Sequence, residues 1–236
     1  MARFLDTSES RGLANHGWLK SRHTFSFAGY HNPDRMGFGL LRVINDDIVD
    51  PSMGFGTHPH ENMEIISIPL SGSLRHEDSM GNQHIIRAGE VQVMSAGTGI
   101  THSEYNDSDS EVVNFLQIWV IPKITGIPPR YDQRKIDTDN SSNIFNSIVA
   151  PLGTEGVVNI NQDAYFSIAN IDIDTTIEYK KTSKGNGVYF FIITGNIDIG
   201  ETQLSTRDGV GITEEDDIKI FAKEKSRVLC MEVPMR

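Results

Sequence analysis

Residues 57–104, THPHENMEIISIPLSGSLRHEDSMGNQHIIRAGEVQVMSAGTGITHSE, open with His58-Pro59-His60 and close with His102-Ser103-Glu104. On a β-strand, side chains two apart share a face, so each terminal pair offers two donor atoms to one place. If the two strands lie side by side or opposite each other, three imidazoles and a carboxylate converge. Nitrogen and oxygen donors without sulfur, with positions left open, suit a borderline divalent ion. A single His-x-His falls at this spacing by chance on many surfaces. Two such pairs, separated by strand-like sequence with a turn in the middle, point to a metal centre. Glu64 complicates the donor set, because it follows His58 and His60 at even spacing and a straight strand aims it at the same ion. Periodicity leaves either Glu64 or Glu104 as the fourth ligand, with the other as an outer acceptor or a base.

Working outward, the segments on either side read as strands. GLLRVINDDIV (39–49) is a strand running into an Asn45-Asp46-Asp47 turn, and a loop with Pro51, Gly54 and Gly56 delivers the chain to His58. ENMEIISIPLSG (61–72) is a strand ending at Gly72. SLRHEDSMGNQHIIRAG (73–89) is a hairpin with Met80-Gly81-Asn82 at its tip, which sets His76 and His84 near solvent. EVQVMSAG (90–97) alternates as a half-buried strand, and Gly97 and Gly99 suit a tight turn that swings His102 inward. EVVNFLQIWVIP (111–122) is long and almost continuously apolar, which predicts burial on both faces. Met53, Phe55, Met63, Met94, Ile100 and Phe115 fill the core around the ligands, and a few of them can line an apolar pocket for a flat aromatic substrate. Residues 1–39 show no period. There Trp18, Phe25, Phe27 and Tyr30 staple an irregular arm to the barrel, and His16, His23 and His31 are hydrogen-bonded loop histidines.

Short strands with frequent turn signals and hardly any helical pattern predict an all-β sandwich or barrel. PKITGIPP (122–129) marks a boundary, giving units 1–125 and 126–236. Beyond it, GVYFFIITGNIDIGETQLSTRDGVGITEEDDIKIF (187–221) repeats the strand–Gly–hairpin–Gly–strand order of residues 65–94. Setting Gly195 against Gly72 puts Lys181 and Ser183 at the places of His58 and His60, and no histidine follows His102. The second unit is therefore expected to lack metal ligands and to cover or brace the first.

The net charge of −11 is spread along the chain, with 9 basic against 15 acidic residues up to Thr125 and 12 against 17 beyond it. Neither unit carries the basic footprint of a nucleic-acid binder. A lone cysteine, Cys230, forbids an internal disulfide and fits a reducing cytoplasm. MARFLDTSES has no apolar core for a signal peptide, and no apolar run approaches membrane-spanning length. A cytoplasmic monomer without nucleic-acid or membrane contact is expected.

HTFSFAGY (23–30), FGLLRVINDD (38–47), GFGTHPHENMEI (54–65) and above all SAGTGITHSEYN (95–106) resemble the pirin family of the cupin superfamily. The resemblance covers the first 120 or so residues in order and extends to the rest only in general pattern. It implies a bicupin, two jelly-roll (double-stranded β-helix) barrels in one chain, with one metal in the first. It implies the ligands His58, His60, His102 and Glu104, with Glu64 outside them, and iron as the leading ion ahead of manganese, nickel, cobalt, copper or zinc. Gly97 stands where many cupins have proline, and the Glu64-to-Gly72 interval is one residue longer than the general cupin pattern; both are ordinary among pirins. Bacterial pirin-like proteins of this kind include quercetin 2,3-dioxygenases, which implies a flavonol and O2 as substrates and Glu104 as the catalytic base. Resemblance to animal pirins implies the alternative, a non-enzymatic metal-binding regulator that acts through a protein partner.

Overall fold

A computed structural model describes residues 3–136 and 141–235. Apart from one 3-10 turn, Ser8–Ser10, its regular elements are all strands. In chain order they are β1 (Arg3–Asp6), β2 (Gly12–Asn15), β3 (Leu19–His23), β4 (Leu41–Val49), β5 (Gly54–His60) and β6 (Glu64–Ser71). Next come β7 (Ser73–Asp78), β8 (Gln83–Arg87), β9 (Glu90–Ser95), β10 (Ile100–Asn106), β11 (Val113–Val120) and β12 (Arg130–Lys135). The second half adds β13 (Asn146–Pro151), β14 (Val158–Ile160), β15 (Tyr165–Ile171), β16 (Thr175–Lys180) and β17 (Asn186–Thr194). It closes with β18 (Asn196–Ile199), β19 (Thr202–Ser205), β20 (Gly209–Ile212), β21 (Asp217–Ala222) and β22 (Ser226–Pro234). No helix of the described residues is long and apolar enough to cross a membrane.

The strands form two jelly-roll barrels of matching design. In the first, a seven-stranded sheet, β12-β9-β6-β11-β4-β3-β2, is completed by a four-stranded one, β5-β10-β7-β8. In the second, β1-β20-β17-β22-β15-β13-β14 is completed by β16-β21-β18-β19. The repeat seen in the sequence is thus a repeat of topology, and the chain is all-β with two cupin-type barrels. Strands are traded at the edges. β1, from the chain's start, pairs with β20 of the second barrel, while β12, beyond the Pro- and Gly-rich stretch, pairs with β9 of the first.

The largest apolar cluster joins the barrels. It unites Ile44, Ile66, Ile68, Leu116 and Ile118 with Phe166, Ile168, Phe191, Leu229 and Met231, so the two large sheets pack against each other. At about 1.5–3 kcal/mol for each fully buried side chain, this joint makes the two barrels one body. Double burial also explains the near-continuous apolar run of β11, one face lining this joint and the other the first barrel.

Four local expectations change. Residues 1–39 hold β1, β2 and β3 rather than a wholly irregular arm, although Phe25 does pack on Tyr189 and Phe27 on Trp119. Consequently His23 is a buried strand residue, held by Asn45 at 2.8 Å, whereas His16 and His31 are exposed loop residues. Asn45-Asp46-Asp47 is no turn, for β4 runs straight through it with all three side chains buried. Asp46 faces the joint, where Arg11 and Arg207 pair with it, and Asn45 and Asp47 face a cavity. β9 is buried on both faces rather than one, because Val91 and Val93 face the joint and Met94 faces the interior of the first barrel. Lys181 and Ser183 lie past the end of β16, the counterpart of β5. The connection back from Gly195 is longer than that from Gly72, so counting back the same number of residues stops short of the strand.

Candidate metal centre

The interior of the first barrel is layered. Along β11 the inward side chains are Phe115, Gln117 and Trp119; along β6 they are Ile65 and Ser67; along β7, Leu74 and His76; along β10, Ile100, His102 and Glu104. One apolar cluster, with Leu74, Phe115 and Val49, fills one end. Another, with Ile65, Met94 and Ile100, fills the other, Met63 and Trp119 packing against it. Between them lie Ser67, His76, His102, Glu104 and Gln117, all buried. Of the residues expected to fill this core, Met53 alone is exposed.

β5 and β10 run antiparallel, with His58 opposite His102 and His60 opposite Ile100. The pairing slips after His102, so that Gly56 and Thr57 together answer Ser103 and Phe55 meets Glu104. This two-for-one bulge turns Phe55 and His58 to the same face although they are three residues apart. The preceding turn needs glycine: Gly97 has φ +49, and a Cβ there would stand 2.0 Å from the Ile127 carbonyl oxygen. Proline, locked near φ −65°, cannot take that conformation.

His58, His60 and His102 each offer a ligand atom, and these atoms lie within 4.8 Å of one another. His58 Nδ1 donates to the Gly56 carbonyl at 2.7 Å, which leaves Nε2 bare for coordination. His102 is 1% exposed, and its Nε2 is buried without any hydrogen-bond partner. Burial pushes the His60 pKa down to about 4, with His102 and His58 adding to the effect. Burial pushes His102 down to about 3, with His58 and His76 adding. Both rings are therefore neutral at pH 7, the form that binds metal. An orphaned buried nitrogen amid neutral imidazoles fits a divalent ion better than any apolar filling.

The two glutamates part company. Glu104 sits in the polar layer, where Gln117 Nε2 donates to its Oε2 at 2.7 Å and the Ser67 hydroxyl lies 3.0 Å from its Oε1. With His76 and His102 it forms a second group of candidate ligand atoms within 4.8 Å. Glu64 belongs to neither group among the described residues. Its Oε2 accepts from Ser95 Oγ at 2.7 Å and from the Asn161 backbone N–H of the second barrel at 3.1 Å. Burial raises its pKa against these two hydrogen bonds. The residue that sequence reading missed is His76, which is 0% exposed rather than near solvent, while His84 is exposed. A signal was present in His76-Glu77-Asp78, another same-face pair of imidazole and carboxylate.

Beside the polar layer lies a cavity of about 600 Å³, within the range of small-molecule sites. Trp18, Phe27, Tyr30 and Phe55 supply its aromatic walls, and Ser21, His23, Asn45 and Asp47 a polar one. Its lining stops short of the three histidines, but two of its residues neighbour Glu104: Phe55 pairs with Glu104, and Asp47 feels the Glu104 charge. Burial pushes the Asp47 pKa up to about 7 against a Ser21 hydrogen bond, and Asp46 and Glu104 push the same way.

Comparison with known proteins agrees with this architecture. The pirin family model matches residues 6–120, and the quercetinase C-terminal cupin domain model matches residues 147–233. A protein of Escherichia coli K12 named quercetin 2,3-dioxygenase is 42% identical over 232 residues, covering 98% of both chains. A putative quercetin 2,3-dioxygenase of Pseudomonas aeruginosa is 39% identical, over 94% of this chain and 95% of its own. The crystal structure of the bacterial pirin YhhW from Escherichia coli in complex with nickel(II) superposes with a TM-score of 0.93 at 41% identity, covering 99% of each chain. A quercetin 2,3-dioxygenase of Acinetobacter baumannii, at 19% identity and a TM-score of 0.78, shares the fold. With that coverage in both barrels and that identity across nearly the whole length, the chain belongs to the pirin family.

Proposed function

We propose that the protein is a metal-dependent dioxygenase that opens flavonols such as quercetin with O2 and releases carbon monoxide. The observation that carries this reading is the grouping of His58, His60 and His102 around one point, with the Glu104 carboxylate beside it and an aromatic-walled cavity adjoining. A bound divalent ion, iron foremost, would be held by His58, His60, His102 and Glu104, and would supply Lewis acidity for the flavonol hydroxyl and a meeting point for substrate and O2. Manganese, nickel, cobalt, copper or zinc satisfies the same donors. In this reading the ion belongs to residues 1–125, and residues 126–236 bind none.

The chain's own residues have definite tasks. Glu104 takes the proton of the flavonol 3-hydroxyl on a carboxylate oxygen, while Gln117 and Ser67 keep the group aligned. The walls of Trp18, Phe27, Tyr30 and Phe55 bind flat rings and exclude water from the reacting oxygen. Glu64 stays out of the chemistry and ties the first barrel to Asn161 of the second.

The test is oxygen uptake and carbon monoxide release with quercetin, using protein loaded with iron or nickel and the same protein after chelation. Flavonol-dependent uptake that vanishes on chelation is the expected result. No uptake with any flavonol in fully loaded protein overturns the enzyme reading and leaves the centre to a partner-binding regulator.

A further inference from the structure

The β7–β8 hairpin reaches into the metal centre. At its tip, Asp78 Oδ1 accepts from the backbone N–H groups of Met80 at 2.9 Å and Asn82 at 3.1 Å. Asp78 Oδ2 accepts from Asn82 Nδ2 at 2.9 Å and lies 3.2 Å from His76 Nε2. Three donors on its two oxygens favour the ionised carboxylate, which can only accept. His76 Nε2 therefore donates to Asp78, and Nδ1 is the ring nitrogen left to accept. That nitrogen lies 3.5 Å from His102 Nδ1. A bare nitrogen needs a donor opposite it, so the hydrogen of His102 sits on Nδ1 and its Nε2 is bare. This Nε2 is the buried atom without a partner. The side chains of His76 and Asp78 are 0% exposed, and the Tyr131 ring packs 4.9 Å from His76, so water does not interrupt the chain.

We propose that His76 and Asp78 are positioning residues: a carboxylate–imidazole–imidazole chain holds His102 in its Nδ1–H form and aims Nε2 at the ion. The inference rests on the metal-site reading above, in which His102 is a ligand. Outer partners of this kind fix the tautomer and ring orientation of ligand histidines, and their loss typically costs about 10–100-fold in metal affinity.

Two measurements on the full chain test it. The first is long-range 1H–15N correlation of 15N-histidine protein without metal, which reads each ring's tautomer directly. The second is nickel(II) affinity and release rate by chelator competition. The parent protein should show His102 as Nδ1–H. His76→Phe should mix the His102 tautomers and weaken nickel binding by about 10–100-fold. His76→Asn offers an amide oxygen where Nδ1 stood, and should restore both the tautomer and most of the affinity. Asp78→Asn keeps an oxygen for the backbone donors yet presents an N–H to His76, which reverses the chain and should shift His102 toward Nε2–H. Circular dichroism and cooperative unfolding check that each variant folds. A parent-like tautomer and affinity in His76→Phe overturns the proposal. So does an equal loss in His76→Asn and His76→Phe, which would make His76 a filler or a ligand in its own right. A parent protein that binds no nickel refutes the metal-site reading instead, and the tautomer of His102 still judges the chain of hydrogen bonds.

Discussion

The two barrels have the same strand order and opposite interiors. In the second, Ile177, Val188, Phe190, Ile192, Ile197, Ile218 and Ile220 form one continuous apolar cluster. In the first, the corresponding space is split into two apolar clusters by a layer of histidines, a glutamate, a glutamine and a serine. The second barrel does bury a carboxylate, Glu232, but satisfies it completely. Its Oε2 accepts from Tyr179 Oη at 2.9 Å and the Thr182 N–H at 2.8 Å, its Oε1 from the Ser183 N–H at 2.8 Å and Asn186 Nδ2 at 3.1 Å. In the first barrel His102 Nε2 has no partner at all. An unmet buried imidazole nitrogen beside two further imidazoles fits a site that takes a ligand, as the closed network around Glu232 does not. The difference teaches that one jelly-roll frame can carry two unlike interiors.

The largest effect expected from this contrast is on metal content. His58→Ala, His60→Ala or His102→Ala should each strip most of the ion, by more than the 10–100-fold that an outer partner costs. The triple variant should bind none, since the second barrel offers no comparable group among the described residues. Elemental analysis of full-length protein after nickel or iron loading is the measurement. An ion retained by the triple variant would break the contrast between the barrels.

Next comes the division between the glutamates. Glu104→Gln should lower flavonol turnover by about 10²–10⁴, the usual cost of losing a general base, while much of the metal stays on the three imidazoles. Glu64→Gln should keep the metal and stay within about tenfold of parent activity, its cost appearing as stability because its partners bridge the barrels. Assaying metal and oxygen uptake side by side decides the matter. A dead Glu64→Gln beside a normal Glu104→Gln reverses the assignment.

Most of the frame was legible in the sequence because it rests on local signals. Alternation marks strands, glycines mark turns, and His-x-His marks a same-face pair whatever the tertiary context. What escaped depends on contacts far along the chain. Asn45-Asp46-Asp47 reads as a turn by composition, yet Arg11 and Arg207 neutralise one face of it and the other lines a cavity beside Ser21 and His23. β1 joins a strand some 200 residues away, a pairing that no local pattern encodes. His76 reads as a surface histidine near a hairpin tip, and only Tyr131 on β12, arriving from beyond the first unit, seals it. The Glu64–Glu104 ambiguity had a different origin. Strand period cannot show that the chain turns between His60 and Glu64, which leaves Glu64 on the face of β6 toward the second barrel, opposite Ile65 and Ser67.

A moderate effect should follow from disturbing the satisfied carboxylate. Glu232→Gln turns one accepting oxygen into a donor that faces a backbone N–H, and should destabilise the protein by about 1–3 kcal/mol. Metal content should not change. A variant that unfolds at the parent's denaturant midpoint would show that the second barrel's interior tolerates an unmet donor, which would weaken the inference drawn from His102.

The most gradual effect concerns pH, and its sign differs between groups of the first barrel. His60 and His102 have folded pKa values of about 4 and about 3, below the ordinary 6.5. Between those values and 6.5 the unfolded chain binds more protons than the fold, so these two groups make metal-free protein more stable as pH rises. Asp47 works the other way. Its folded pKa of about 7 exceeds the ordinary 3.8, so the fold holds a proton that the unfolded chain has lost, and this stability declines as pH rises toward 7. Asp47→Asn removes the opposing term alone. The difference in unfolding free energy between variant and parent, measured by denaturant titration without metal, should therefore climb from pH 4 to 7 in the variant's favour. Its slope should be at most about 1.4 kcal/mol per pH unit, the linkage of one proton. Groups not coupled to Asp47 cancel in that difference. A flat difference would mean that Asp47 is ionised in the fold and that water from the cavity, rather than burial, governs the polar wall.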